Sequence, residues 1–273
     1  MATMTVRLTS GREVSMVVDV GNDGPSYFVL SMVKSGSTML NEMVTALSLA
    51  NGHHFIDVSR VFLPANVSAP TYSKDPALSQ MLHPGNVYGG FRRIPQGLTF
   101  SPQFINGAKV LLVRDPRDVL VSLYFSDAFS HEIPAPAGTH DDVHRLMTAR
   151  RQRAREIDID TFVLEEARGL FLSYQNYVPL LGFESTALIR YEDIIFDKAS
   201  LIDTVVRHFG WQCDDELSRD ILKAVDVRPA DEQPERFIRQ VSPGDHRAKL
   251  QSSTVDSLSR WFSPIMEAFG YAI

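Results

Sequence analysis

Residues 26–38 read SYFVLSMVKSGST. Ser26 to Val33 is a mostly apolar run of strand length, the pattern of a strand buried on both faces. Ser35-Gly36-Ser37-Thr38 follows, and then Met39, Leu40, Met43, Val44 and Leu47 recur at helical spacing until Asn51-Gly52 closes the helix. The unit is strand, short polar glycine loop, helix. Lys109 to Arg114 (KVLLVR) repeats the buried-strand pattern, with Asp115 as N-cap and Pro116 at the first helical position of what comes next. Thr186 to Arg190 (TALIR) is a third strand, running into Tyr191-Glu192-Asp193.

Helical spacing covers residues 160–181, with Phe162, Leu164, Leu170, Phe171, Tyr174 and Tyr177 toward the core. Shorter helices are expected at about 198–210 and 214–225, and a last amphipathic one at about 254–269, with Val255, Leu258, Trp261, Phe262, Ile265 and Phe269 inward. Trp211 and Trp261 are both read as core. Residues 5–20 alternate through Val6, Leu8, the turn Ser10-Gly11, Val14, Met16 and Val18, a β-hairpin. Residues 64–90, rich in Pro, Ser, Asn and Gly, read as an irregular excursion, and 131–139 as a loop. Strands alternating with helices predict an α/β fold with a central, mainly parallel sheet flanked by helices. No repeat and no linker divides the chain. One domain over 1–273 is expected, with the hairpin of 1–24 as an extension.

The 273 residues are 44% hydrophobic and 22% charged, with scattered Gly and Pro, which excludes a disordered or collagen-like chain. A single cysteine, Cys213, excludes an internal disulfide and a multi-cysteine metal site, and suits a reducing compartment. The net charge of −6 speaks against a nucleic-acid or anionic-lipid partner. Apolar stretches stay far below the ~18 residues that would span a membrane, and the start lacks a secretory pattern. A cytoplasmic protein without a transmembrane segment is expected.

Two stretches carry chemistry. In Lys34-Ser35-Gly36-Ser37-Thr38 a buried strand delivers the chain into a turn that starts a helix. There the free N–H groups and the positive end of the helix dipole meet hydroxyls and an ammonium, a cradle for phosphate. The alternative is a capped helix beside a solvated lysine. The lysine precedes the glycine and no GxxxxGK is present, which argues against an ordinary nucleoside-triphosphate loop. In Arg114-Asp115-Pro116-Arg117-Asp118 with Ser122, an arginine ends a strand, where open α/β sheets place ligands. It can give a forked pair of donors and Ser122 a hydroxyl. Arg117 and Asp118 can instead pair around the loop, as parts of a well-capped helix.

Together, Tyr27 with Lys34-Ser35-Gly36-Ser37-Thr38, and Arg114-Asp115-Pro116-Arg117-Asp118 with Ser122, resemble the two donor-binding signatures of the sulfotransferases that use 3′-phosphoadenosine-5′-phosphosulfate (PAPS). Tyr191-Glu192-Asp193 is similar to that family's Tyr-Glu-Asp segment. Arg239-Gln240-Val241-Ser242-Pro243-Gly244-Asp245 resembles a degraded copy of its Arg-Lys-Gly-x-x-Gly-Asp loop. The resemblance runs from about Tyr27 to the C-terminus. It implies a P-loop-like three-layer α/β sandwich and a PAPS-dependent sulfotransferase that leaves 3′-phosphoadenosine 5′-phosphate (PAP) and requires no metal. Lys34, Ser35, Gly36, Ser37 and Thr38 would hold the 5′-phosphosulfate. Arg114 and Ser122, joined by Arg239, would hold the 3′-phosphate. Tyr191 would lie near the adenosine. Lys34 would also act catalytically, meeting charge that grows on the leaving phosphate. The acceptor would be a hydroxyl or amine of a small molecule, sugar or glycolipid.

The chain departs from that pattern in places. The general-base histidine of cytosolic members falls in Phe91-Arg92-Arg93-Ile94-Pro95 on Arg93, which cannot accept a proton at neutral pH. Asp57 and His83 are the alternative candidates, with His53 and His54 behind them. Arg92 and Arg93 can instead bind an anionic acceptor. Met39 stands where a tryptophan usually packs on the adenine, and contacts a ring through sulfur. Gln240 and Val241 replace a Lys-Gly pair, which thins the 3′-phosphate contacts unless Arg236 or Arg247 completes them. The basic runs 145–155 and 228–247 read as a solvated helix face and a loop, or else as a lid over an anion. Acceptor-forming loops are expected within 53–95, 127–145 and 228–250. Two other classes remain, a P-loop kinase-like phosphotransferase and a non-catalytic phosphoadenosine-binding module. Oligomeric state is not encoded in these patterns.

Overall fold

The computed structural model describes residues 1–65, 67–91, 93–135 and 142–272. Its strands are β1 (Ala2–Arg7), β2 (Glu13–Val18), β3 (Tyr27–Ser31), β4 (Phe55–Asp57), β5 (Val87–Gly89), β6 (Ala108–Val113) and β7 (Thr186–Arg190). The principal helices are α1 (Ser37–Ala50), α2 (Val58–Phe62), α3 (Pro116–Phe125), α4 (Asp142–Glu156), α5 (Ile159–Tyr177), α6 (Lys198–Phe209), α7 (Asp215–Val225) and α8 (Ser252–Ala268). The chain forms two compact units, Met1–Leu112 with Leu180–Asp226, and Val113–Pro179 with Val227–Ile273.

The first unit is built on a five-stranded sheet of order β4-β5-β3-β6-β7. β3 runs parallel to both β5 and β6, and β4 runs parallel to β5. Every residue of β3 is buried, which accounts for its unbroken apolar run. α1 lays Leu40, Met43, Val44 and Leu47 inward at i, i+3, i+4 and i+7, against β3, β4, α6 and α7. Phe28 stacks with Tyr88 at 5.6 Å and meets Phe104 edge-on at 4.8 Å. Trp211 is buried as expected, against Tyr27 and Phe209. Lys109 is fully buried inside β6 and donates to the carbonyls of Ile105 and Gly107 and the hydroxyl of Ser185. Burial pushes its ammonium pKa down to about 8.

The N-terminal hairpin forms: β1 and β2 are antiparallel with Val6 opposite Val14. Val6, Leu8, Val14, Met16 and Val18 all point inward. The hairpin is tied to the unit by Asp19 N–H to Asn86 Oδ1 (2.9 Å) and by Thr9, whose N–H and hydroxyl both donate to Asp75. One expectation is corrected here. The excursion over 64–90 ends in β5, which lies between β3 and β4. A three-residue strand is too short to show a period of two, so its alternation could not announce it.

In the second unit α3, α5 and α8 pack on one another. α5 buries Phe162, Val163, Ala167, Leu170, Tyr174 and Tyr177. Two residues expected in the core are instead about half exposed, Leu164 at 49% and Trp261 at 52%. Leu164 lies off the Val163–Ala167–Leu170–Tyr174 face, and Phe262 takes the buried place beside Trp261. The basic run on α4 is largely a solvated face, with Arg145, Arg153 and Arg155 exposed, and part of it is also paired. Arg150 binds Asp127 (2.8 Å) and Glu166 (3.2 Å), Arg153 binds Glu165, and Arg155 donates to the Ala128 carbonyl. Among the described residues no helix is long and apolar enough to cross a membrane.

Candidate active site

The turn between β3 and α1 is built by its own residues. Buried Ser35 points its hydroxyl at the carbonyls of Met32 (2.6 Å) and Leu112 (3.2 Å), which locks the turn to the end of β6. Its N–H donates back to Met32. Gly36 is the N-cap of α1, with φ 93 and ψ 26 in the left-handed region, and no side chain caps the helix. No cap side chain competes for the first-turn N–H groups, which lie at the positive end of the helix dipole. A Cβ on Gly36 would meet the Tyr191 ring at 3.4 Å and the Met39 methyl at 3.5 Å. Gly36 thus leaves space that the Met39 and Tyr191 side chains border. Lys34, half-buried, holds φ 59, the one positive φ of a non-glycine among the described residues. Such backbone costs of order 1–3 kcal/mol and persists where the surroundings fix it. Lys34, Ser35, Gly36, Ser37, Thr38, Met39 and Tyr191 are therefore gathered at one place. The cradle has the shape and donors to take a phosphate or sulfate group.

Because β3, β4 and β5 are parallel, residues that end or follow these strands share one edge, and residues that precede them share the other. Lys34 follows β3, Asp57 ends β4 and exposed Arg93 follows β5, all on the cradle's edge. Arg92 lies outside the described residues, as do 136–141 of the loop 127–145. Asp57 caps α2, accepting from Arg60 N–H (3.3 Å) and the Ser59 hydroxyl (2.7 Å), and sits against Gly90, whose left-handed backbone leaves it room. The Gly90 N–H in turn donates to Asn41 on α1 at 3.4 Å.

His83 precedes β5 and belongs to the opposite edge, as do His53 and His54 ahead of β4. Five residues of strand separate the edges by roughly 16 Å. The imidazoles are also engaged there, His83 with the Pro84 carbonyl, His53 with the Gly85 carbonyl and His54 with the Val17 carbonyl. The structure does not bring them to Lys34.

The second unit gathers the other cations around carboxylates. Asp115 caps α3 through Arg117 N–H (2.9 Å) and holds the Arg117 guanidinium with both oxygens. Arg117 reaches on to Ser259 of α8 at 2.8 Å, a structural tie. Arg114, buried, lies 3.8 Å from Asp118, and its carbonyl accepts the Tyr174 hydroxyl. Asp118 is a hub. It accepts from Gly244 N–H (2.6 Å), His246 N–H (3.0 Å) and His246 Nδ1 (2.6 Å). Burial works to raise the Asp118 carboxyl, but the His246 hydrogen bond, the Arg114 charge and the two N–H groups hold it below the usual value.

Arg239 is buried between Glu232 and Asp245 with its guanidinium 4.1 Å above the Phe125 ring. Lys249 binds the same Glu232 at 2.6 Å. Burial acts to raise Glu232, but hydrogen bonds from Lys249 and Arg239, with their charges, keep it below the ordinary value. Ser122 lies half-buried on α3. Asp118's partnership with His246 spans 128 positions, and no local spacing announces it. Glu232 and Lys249 were likewise invisible, apart from their place in a charged stretch. Among the described residues no group of three or more His, Cys, Asp or Glu could hold a metal ion.

The sulfotransferase domain family matches residues 25–270, and the chain belongs to that family. It is a sulfotransferase by class. Solved structures share the fold at low identity. Mouse sulfotransferase SULT7A1 complexed with PAP is 14% identical with a TM-score of 0.59, over 90% of this chain and 85% of that one. Retinol dehydratase in a complex with retinol and PAP is 15% identical with a TM-score of 0.57, over 97% and 90%. No curated protein matches the chain.

Proposed function

We propose that the chain moves the sulfuryl group of PAPS to a hydroxyl or amine of a small-molecule, sugar or glycolipid acceptor by in-line displacement. The observation that carries this is the uncapped first turn of α1 at the end of a buried strand, opened by Gly36 and bordered by Met39 and Tyr191. When bound, PAPS supplies a sulfuryl group on a phosphate leaving group. Lys34, Ser37, Thr38 and the first-turn N–H groups hold the 5′ end and oppose negative charge that grows on the leaving oxygen. Ser35, whose hydroxyl is spent on two carbonyls, shapes the turn and offers no hydroxyl of its own. Met39 and Tyr191 border the adenosine. Arg114, Ser122 and Arg239 serve the 3′-phosphate.

As the acceptor oxygen bonds to sulfur and the sulfur–oxygen bond to phosphate breaks, the acceptor proton passes to a base. Asp57 is the candidate, since it lies on the cradle's edge and His83 does not. Arg93 on that edge suits an anionic acceptor. The single cysteine fits a cytoplasmic setting.

Two measurements test this. Calorimetric titration with PAP should show saturable binding; no heat at millimolar ligand would remove donor use. Transfer of labelled sulfuryl from PAPS to an acceptor panel should give labelled product. Binding without transfer to any acceptor would leave a phosphoadenosine-binding module.

A further inference from the structure

The N-terminal hairpin has one occupied edge and one open edge. Val6 lies opposite Val14, and in the same register Leu8 N–H donates to the Arg12 carbonyl. Even-numbered residues of β1 and β2 therefore bond to one another, and odd-numbered ones turn their backbone groups outward. On β2 those groups are used. The Val17 carbonyl accepts from His54 Nε2 (3.1 Å), Asp19 N–H donates to Asn86 Oδ1 (2.9 Å), and the Asp19 carbonyl accepts from Asn86 Nδ2 (3.0 Å). On the β1 side the Thr9 N–H is taken by Asp75. Thr3, Thr5 and Arg7 remain. All three are exposed, and among the described residues nothing bonds to their outward N–H and carbonyl groups.

An edge strand of six residues with no Lys, Pro or bulge is a template for another strand. β1 is its own complement. Run antiparallel to a second β1 with Thr5 opposite Thr5, it sets Thr3 opposite Arg7 and Arg7 opposite Thr3, so every outward group of both copies finds a partner. A slip one way sets Arg7 opposite Met1, outside the strand, and a slip the other way sets Thr3 opposite Thr9, which Asp75 already holds. In the full register the two Arg7 side chains stay apart, each beside Glu13 of its own copy at 3.7 Å. On the exposed face the 2.8 Å bond between the Thr5 and Ser15 hydroxyls extends into a row across the twofold axis. On the inner face half-buried Met4 meets Val6 of the second copy, which continues the apolar layer.

We propose that the open edge of β1 joins a second copy of this chain, giving a twofold dimer with a continuous four-stranded sheet of order β2-β1-β1-β2. The far edge of β2 is occupied by His54 and Asn86, so the pairing closes at two copies and does not propagate. The hairpin lies outside residues 25–270, the part that matches the sulfotransferase domain family, so this surface belongs to the chain's own extension. It is independent of the donor use proposed above.

The test is sedimentation velocity of the full chain at concentrations up to about 100 μM, where even a small interface is populated. Wild type should reach a dimer and nothing larger. Thr5→Pro removes only an outward N–H, so the hairpin ladder survives, while the dimer loses two hydrogen bonds at its axis and should weaken at least about tenfold. Thr5→Lys sets like charges opposite each other and should weaken it about five- to tenfold. It carries the test if Thr5→Pro does not fold. Thr5→Cys, made together with Cys213→Ser, should give a disulfide-linked dimer with oxidised glutathione, because hydrogen-bonded antiparallel partners lie about 5.5 Å apart at Cα. Wild type that stays monomeric throughout, or that grows beyond a dimer, overturns the proposal. A dimer that folded Thr5→Lys leaves at full strength places the contact elsewhere and overturns it too. A dimer in which Thr5→Cys forms no cross-link overturns the Thr5-centred pairing.

Discussion

The β3–α1 turn offers its donors from the backbone, whereas the Arg114–Arg239 region offers side chains that carboxylates hold. In the first, Ser35 bonds to the carbonyls of Met32 and Leu112 while Gly36 leaves α1 uncapped. In the second, Asp118, Asp115, Glu232 and Asp245 each hold a cation. The difference follows from desolvation. A peptide N–H can be buried or bared at modest cost, but a guanidinium taken out of water needs a counter-charge. A cradle of amides can wait empty for its anion; a cluster of arginines comes with anions of its own.

The comparison can be broken at its hub. Asp118→Ala leaves Arg114, His246 and Gly244 N–H without their shared carboxylate. It should cost about 3–5 kcal/mol of stability in chemical unfolding, the range for a broken buried pair. The same carboxyl sets an acid limb. Its folded pKa lies below the unfolded value of 3.8, so its contribution is present above that value and fades as pH falls through the lower folded pKa. Asp118→Asn should flatten stability against pH in that window and leave neutral and alkaline pH without an added slope.

Lys34→Ala probes the other side. It should lower kcat by about 10²–10³ with the melting temperature nearly unchanged, since the turn is held by Ser35 and Gly36. Full turnover would remove Lys34 from the chemistry. A smaller effect is expected from Arg114→Gln, which should weaken PAP binding by about tenfold or somewhat more and spare adenosine 5′-phosphate. Equal losses for both nucleotides would show that Arg114 acts through the fold. The smallest change sharpens the contrast at the cradle. Met39→Trp should tighten PAP by about 0.5–1.5 kcal/mol, the worth of an aromatic pair, read by calorimetry.

Sequence legibility divides along the same line. β3, the Gly36 turn and α1 are adjacent in the chain, so strand burial, cap and helical period speak locally. The Asp115-Pro116 start of α3 is equally local. β5 was missed because Val87-Tyr88-Gly89 is too short for a period. The roles of Asp118, His246, Glu232 and Lys249 depend on contacts between distant segments, which no spacing rule reports. Leu164 and Trp261 misled because their apolar character fits a helical stripe while neighbouring residues define the buried face. The α4 arginines face solvent in large part, as their run suggests, but their acidic partners lie in other segments and no spacing rule pairs them.

Lys34 carries one more consequence, a matter of handedness. Its φ of 59 is a conformation that an L-residue enters with steric crowding around Cβ. The mirror-image enantiomer of lysine, installed at position 34 by chemical ligation, would find that torsion restful. Such a semisynthetic protein should melt higher than the all-L chain, because the chirality of one carbon would then agree with the bend the turn imposes.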